Sequence, residues 1–112
     1  MPRRKHPDAL ALAIGRRIRA LREEQGITQE QLAFTSEMHS KGHLSSLEKG
    51  LVMPTVATLK AIADRLEVLV VDVVNDPAES DRAKLIELTR SLPAGVIRRL
   101  VKELAAARKP KK

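Results

Sequence analysis

Between Ser40 and Gly50 the chain sets Lys41, Gly42, His43, Ser45 and Ser46 around two leucines, Leu44 and Leu47, with no acid before Glu48. Short hydrogen-bonding side chains outside and aliphatic ones inside suit one chemistry in particular. A helix so built can lie in a DNA major groove and read base edges, held there by the residues it buries. Two other chemistries compete for the polar residues. His39 and His43 stand four apart, a spacing that can hold a metal, but cysteine is absent and no third ligand is near, so no metal site is expected. Asp72, Asp76, Glu79 and Asp81 cluster where a linker would simply solvate them. With no glycine-rich phosphate loop and no nucleophile elbow, neither an enzyme nor a cofactor is expected.

Composition points the same way. A chain of 112 residues makes one domain with a small appendage. The lack of cysteine excludes disulfide scaffolds and zinc fingers. Phe34 is the sole aromatic residue, so the core must be built of Leu, Ile, Val and Ala, and base-stacking modules are disfavoured. Lys and Arg number 21 against 14 Asp and Glu, a net charge of +7. Residues 1–22 and 98–112 each hold seven basic residues and one acid, so the two ends carry +12 and the middle −5. Basic ends on a near-neutral body suit a polyanionic partner, nucleic acid before membrane. The apolar stretch Ala9 to Ile14 is shorter than a signal-peptide core, and no run approaches the roughly 20 residues of a membrane span. A cytoplasmic, DNA-associated protein is expected.

The elements that would position this cluster are helical. Asp8 can start a first helix whose stripe is Leu10, Ile14, Ile18 and Leu21, with Gly26 ending it. Thr28 followed by Gln31 has capping-box spacing and opens a short second helix, Gln29 to Thr35, burying Leu32 and Ala33. Ser40 is the candidate cap of the third, which Gly50 stops. Met53-Pro54-Thr55 opens a fourth with Val56, Leu59, Ile62, Ala63 and Leu66 inward. Val68 to Val74 reads as a strand on propensity, yet no other segment could pair with it, so a short fifth helix is expected. After a linker at Asn75 to Ser80, Asp81 to Leu92 and the segment following Pro93 form a helical hairpin.

The order of these pieces carries a resemblance. Gly15-Arg16-Arg17-Ile18-Arg19-Ala20-Leu21-Arg22, Gly26-Ile27-Thr28-Gln29-Glu30-Gln31-Leu32-Ala33, Leu44-Ser45-Ser46-Leu47-Glu48-Lys49-Gly50 and Pro54-Thr55-Val56-Ala57-Thr58-Leu59-Lys60-Ala61-Ile62-Ala63 are similar, in that order, to the four helices of the Cro/repressor-type (xenobiotic-response-element) helix-turn-helix regulators. About 60 residues are covered. The resemblance implies an all-α, five-helix lambda-repressor-like domain. It places Thr28 and Gln29 on backbone phosphates and Ser40 on phosphate. Lys41, Gly42 and His43 would open the recognition helix, with Lys41 on a guanine edge and Ser46 favoured over Ser45 as a base contact. Lys49 and the Gly50 amide would hold the far phosphates. His43 could equally pack against the second helix. Arg22 and Glu48 occupy positions that pair in similar proteins. Two departures stand out: the stretch from Ala33 to Leu44 is one residue longer than usual, with Glu37 near an expected turn glycine, and Glu67 replaces the glycine that usually ends the fourth helix.

The expectation is therefore a basic arm at 1–7, with Arg3, Arg4 and Lys5 tracking DNA, a DNA-binding domain at 8–75, a hairpin at 80–107 and a basic tail at 108–112. The hairpin holds more apolar surface than two helices can bury, so Leu85, Leu88, Ile97, Leu100, Val101 and Leu104 are expected to form a homodimer. Function follows as a dimeric repressor on a palindromic operator. The alternatives are an antitoxin-like module whose hairpin takes a protein partner, and a restriction-controller-type activator.

Overall fold

Asp8 starts the first helix: its carboxylate accepts the Ala11 amide N–H at 3.1 Å, satisfying a donor that the first turn leaves without a partner. A computed structural model describes residues 6–35 and 41–108, and among them seven helices and no strand. They are α1 (Ala9–Glu24), α2 (Gln29–Thr35), α3 (Lys41–Glu48), α4 (Val56–Leu66), α5 (Val70–Val74), α6 (Asp81–Thr89) and α7 (Ala94–Ala107). The chain divides into two units, the first through Asp76 and the second from Pro77. The turn between α2 and α3, with its added residue and Glu37, lies outside the described residues, as do Ser40, His39, the arm residues Arg3, Arg4 and Lys5, and the tail beyond Arg108.

The first unit has an aliphatic core. Ile14, Ile18 and Leu21 from α1 meet Leu32 and Ala33 of α2, Leu44 and Leu47 of α3, Leu59, Ile62, Ala63 and Leu66 of α4, and Val73 of α5. Two expected core members fall outside it. Leu10 is 62% exposed because the inward stripe of α1 begins at Ala11, one residue on, and Val56, the first residue of α4, is 75% exposed. Thr28 and Gln31 form the reciprocal cap foreseen for α2, the Thr28 hydroxyl accepting from the Gln31 amide at 3.1 Å and the Gln31 side chain accepting from the Thr28 amide at 2.9 Å. Thr55 caps α4 through the Thr58 amide.

The β-branched run folds as α5 because Asp72 stabilises its first turn. The Asp72 carboxylate accepts the Leu69 amide N–H at 2.9 Å, and its carbonyl accepts from Arg17 Nε at 2.7 Å, which ties α5 to α1. Without a partner strand, helical hydrogen bonds are the only way this segment can satisfy its own backbone. Glu67, in the left-handed region at φ 57°, ends α4, and its amide bonds back to the Asp64 carbonyl.

Helices α1 and α3 meet backbone to backbone. A methyl group on Gly15 would fall inside contact distance of the Leu47 carbonyl oxygen and 2.8 Å from that of Glu48. At the other end of the contact, the Asp8 amide donates to the Gly50 carbonyl at 3.2 Å, and Gly50, at φ 74°, leaves no room for a side chain beside Leu12.

In the second unit, α6 stops at Thr89, short of the expected Leu92. The Thr89 hydroxyl bonds the Leu85 and Ile86 carbonyls, and the turn runs on to Pro93, which caps α7 rather than entering it. Ser80 caps α6 through the Ala83 amide. Among the described residues of this unit Ala83 alone is buried, and α7 buries none.

The two helical glycines should respond oppositely. Gly15→Ala forces α1 off α3 and is expected to cost about 1–3 kcal/mol in chemical denaturation. Gly95→Ala, where added bulk meets open space, should be neutral or stabilising by up to about 1 kcal/mol. Equal midpoints for the two variants would show that the α1–α3 approach is not tight in solution.

Candidate nucleic-acid interface

The sequence of α3 divides its residues between two sides. Leu44 and Leu47 are fully buried where α3 packs on α1 and α2, which anchors the helix, while Gly42 and His43 are exposed and Ser45 is half-buried. Ser46 is the correction. At 8% exposure it is buried, and its carbonyl accepts the Leu51 amide at 3.0 Å where the chain folds back after α3. Of the two serines, Ser45 is the more exposed. Lys41 opens the helix, and its side chain lies outside what the structure describes.

Lys49 is exposed just past the last turn of α3, where the Gly50 amide donates back to the Leu47 carbonyl at 3.0 Å. That amide is already engaged within the turn, so of the two it is Lys49 that faces outward.

Around this side, Thr28, Gln29, Ser45 and Lys49 line one open polar cleft of about 600 Å³ together with Arg19, Arg22 and Glu30. The start of α2 and the end of α3 therefore border a common surface. Arg19 was not foreseen there. It lies three residues before Arg22 on α1, and that one-turn spacing is the signal that would have found it. Glu23 bonds Arg19 at 2.5 Å and holds its pKa above the ordinary arginine value, through that hydrogen bond first and through its charge second. Arg19 thus reaches the cleft as a fixed cation with one acid attached.

What fixes the cleft is a buried ion pair. Arg22 donates from Nε to Glu48 Oε2 at 2.8 Å and from a terminal nitrogen to Oε1 at 3.1 Å, the two-pronged geometry that suits guanidinium and carboxylate. Their side chains are 11% and 3% exposed. Arg22 also bonds the Ile27 carbonyl at 2.8 Å, and the Gln29 side chain donates to Glu48 Oε1 at 2.9 Å. One carboxylate thus joins α1, the turn before α2, the start of α2 and the end of α3. It also removes the acid of α3 from the outward side, so no exposed carboxylate stands among the described residues of that helix. Chemically, the arrangement offers hydrogen-bonding groups on a protruding helix, flanked by an amide-bearing helix start and a lysine. A polyanion with readable edges fits it.

Comparison with known proteins agrees. Residues 18–72 match the family model described as helix-turn-helix. An immunity repressor protein of Bacillus phage phi105 is 34% identical over 65 residues, 58% of this chain. The chain spans 44% of that repressor's own length. An HTH-type transcriptional regulator of Sinorhizobium fredii is 40% identical over 67 residues, covering 60% of this chain and 86% of that protein. Among solved structures, a restriction-modification controller protein from Aeromonas hydrophila superposes with a TM-score of 0.57 at 26% identity, over 59% of this chain and 98% of its own.

The buried pair sets a stability expectation. Arg22→Ala leaves Glu48 enclosed with the Gln29 side chain as its remaining side-chain donor and should cost about 3–5 kcal/mol. Lys60→Ala, which breaks an exposed pair with Asp64, should cost under about 1 kcal/mol. Adding Glu48→Gln to Arg22→Ala should recover part of the loss. Urea denaturation of the four proteins checks this, and similar small losses for both single variants would mean the carboxylate is hydrated in solution.

Proposed function

The chain belongs to the XRE-type helix-turn-helix family of DNA-binding transcriptional regulators, and from that premise we propose a dimeric repressor that reads a palindromic operator through α3. The observation that carries the reading is the outward side of α3, which presents His43, Ser45 and Lys49 and no exposed acid while Glu48 is held inside by Arg22. In this reading Lys41 and Ser45 contact bases, Thr28, Gln29 and Lys49 contact backbone phosphates, and the basic arm, Arg3, Arg4 and Lys5, follows the DNA alongside. Similarity to the phage immunity repressor supports repression. The controller protein, matched over nearly its whole length, favours activation as the second reading.

Dimerisation is assigned to the hairpin. Leu85, Ile86, Ile97, Leu100, Val101 and Leu104 line an apolar groove of about 380 Å³, and Leu88 beside it is exposed. A unit of this size with one buried alanine has no core of its own, and pairing two copies would supply one. The same groove could take a protein partner instead, as an antitoxin-like module would require. Two recognition helices in successive major grooves would then stand about 34 Å apart.

Two measurements test these assignments. Titration of a labelled duplex from upstream of the protein's own gene, against a scrambled duplex across a salt series, should show a preference for the native duplex that survives physiological salt. Lys41→Ala should reduce that preference by about 1–3 kcal/mol, whereas equal losses on both duplexes would make Lys41 a phosphate contact. Light scattering of the full chain should give a dimer mass, and Val101→Glu with Leu104→Glu, at positions each 59% exposed, should give a monomer of unchanged helix content. A wild-type monomer at micromolar concentration would retire the dimer.

A further inference from the structure

The net charge of this protein is not where its reading helix is. The first unit, residues 1–76, holds eleven basic and ten acidic residues, a net +1, while residues 77–112 hold ten basic and four acidic, a net +6. Within the first unit the arginines of α1 are largely committed: Arg17 to the Asp72 carbonyl, Arg19 to Glu23 and Arg22 to Glu48. In the second unit Arg90 pairs with Glu87, but Arg98, Arg99 and Lys102 of α7 make no ion pair or side-chain hydrogen bond among the described residues, and all three are exposed.

Spacing gathers these three cations. Arg98 and Lys102 are four apart and Arg99 and Lys102 three apart, so they share one side of α7, with Glu103, the only acid of the helix, at its edge. The opposite side is Ile97, Leu100, Val101 and Leu104, which faces the groove shared with α6. Three unpaired like charges side by side destabilise an isolated helix, so a helix that keeps them gains when a polyanion neutralises them.

We infer that the basic side of α7 is a second DNA-binding surface, one that grips backbone phosphates without regard to sequence and supplies much of the salt-dependent part of the affinity. The inference rests on the reading of this chain as a duplex-DNA binder. DNA is favoured over an anionic membrane because a surface-lying helix must insert its apolar side, and in α7 that side, with Val101 and Leu104 each 59% exposed, is the one assigned above to the pairing of two copies, leaving the charge to present.

The test is fluorescence anisotropy of the full chain on the scrambled duplex and on the native upstream duplex from 50 to 300 mM salt. Wild type is compared with R98Q/R99Q/K102Q and with the charge-keeping R98K/R99K/K102R. Each phosphate contact contributes about 0.9 to the slope of log affinity against log salt, so the glutamine variant should lose about 2–3 from its slope on both duplexes. Its affinity for each should fall at least about tenfold at low salt while the preference between them stays constant. The charge-keeping variant should retain the wild-type slope. An unchanged slope for the glutamine variant overturns the inference. So does binding to phosphatidylglycerol vesicles at 150 mM salt that these substitutions abolish while the duplex slope stands. Failure of the parent reading looks different: wild type would then bind neither duplex, or bind both without preference.

Discussion

A charge removed from water must be answered by its surroundings, and Glu48 is this fold's clearest case. Its carboxylate is enclosed at the end of α3 and is met by two guanidinium hydrogen bonds from Arg22 and one amide hydrogen bond from Gln29. Those donors come from two segments, α1 and the start of α2, so satisfying one acid of α3 aligns all three helices at once. Hydrophobic packing by Leu44 and Leu47 would tolerate a small rotation of α3, because apolar contact has no direction. A two-pronged ion pair does not. The backbone approach at Gly15 supplies the matching steric limit, and between them they set both the rotation and the depth of the helix that faces outward.

The two units solve different physical problems. The first encloses a continuous aliphatic core with a near-neutral net charge, and its geometry depends on packing and on individually placed hydrogen bonds. The second has almost no interior and most of the net charge. A single core could not easily serve both ends, since concentrated like charge opposes compaction. Dividing them at Asp76–Pro77 lets a rigid reader coexist with a strongly charged hairpin.

Much of this was legible in the residues. The caps at Asp8, Thr28 and Thr55 and the inward leucines of α3 follow from local chemistry, the short fifth helix from the lack of any partner strand, and the Arg22–Glu48 pair from the family resemblance. The failures lie in packing. Leu10 and Val56 were placed in the core because apolar spacing cannot say which turn of a helix first meets its neighbours, and both stand in the opening turn. Ser46 was placed outward on its polar type and its position on α3, but the chain after α3 folds back there, with the Leu51 amide on the Ser46 carbonyl, and position within one helix does not reveal such a cover. Arg19 was passed over although its one-turn spacing from Arg22 stood in the sequence; that both line a cleft with α2 and the end of α3 emerges only from the packing.

Glu67 carries a consequence of another kind. It holds a left-handed conformation at φ 57° that a glycine would adopt freely, and a residue with a side chain pays on the order of 1 kcal/mol for it. In a cell, differences of this size alter how often a chain opens to proteases, and so change its steady-state abundance several-fold. For a regulator, abundance sets occupancy of its sites. A glycine at position 67, at the end of α4, would thereby raise the folded amount of the protein while leaving every residue of α3 as it is.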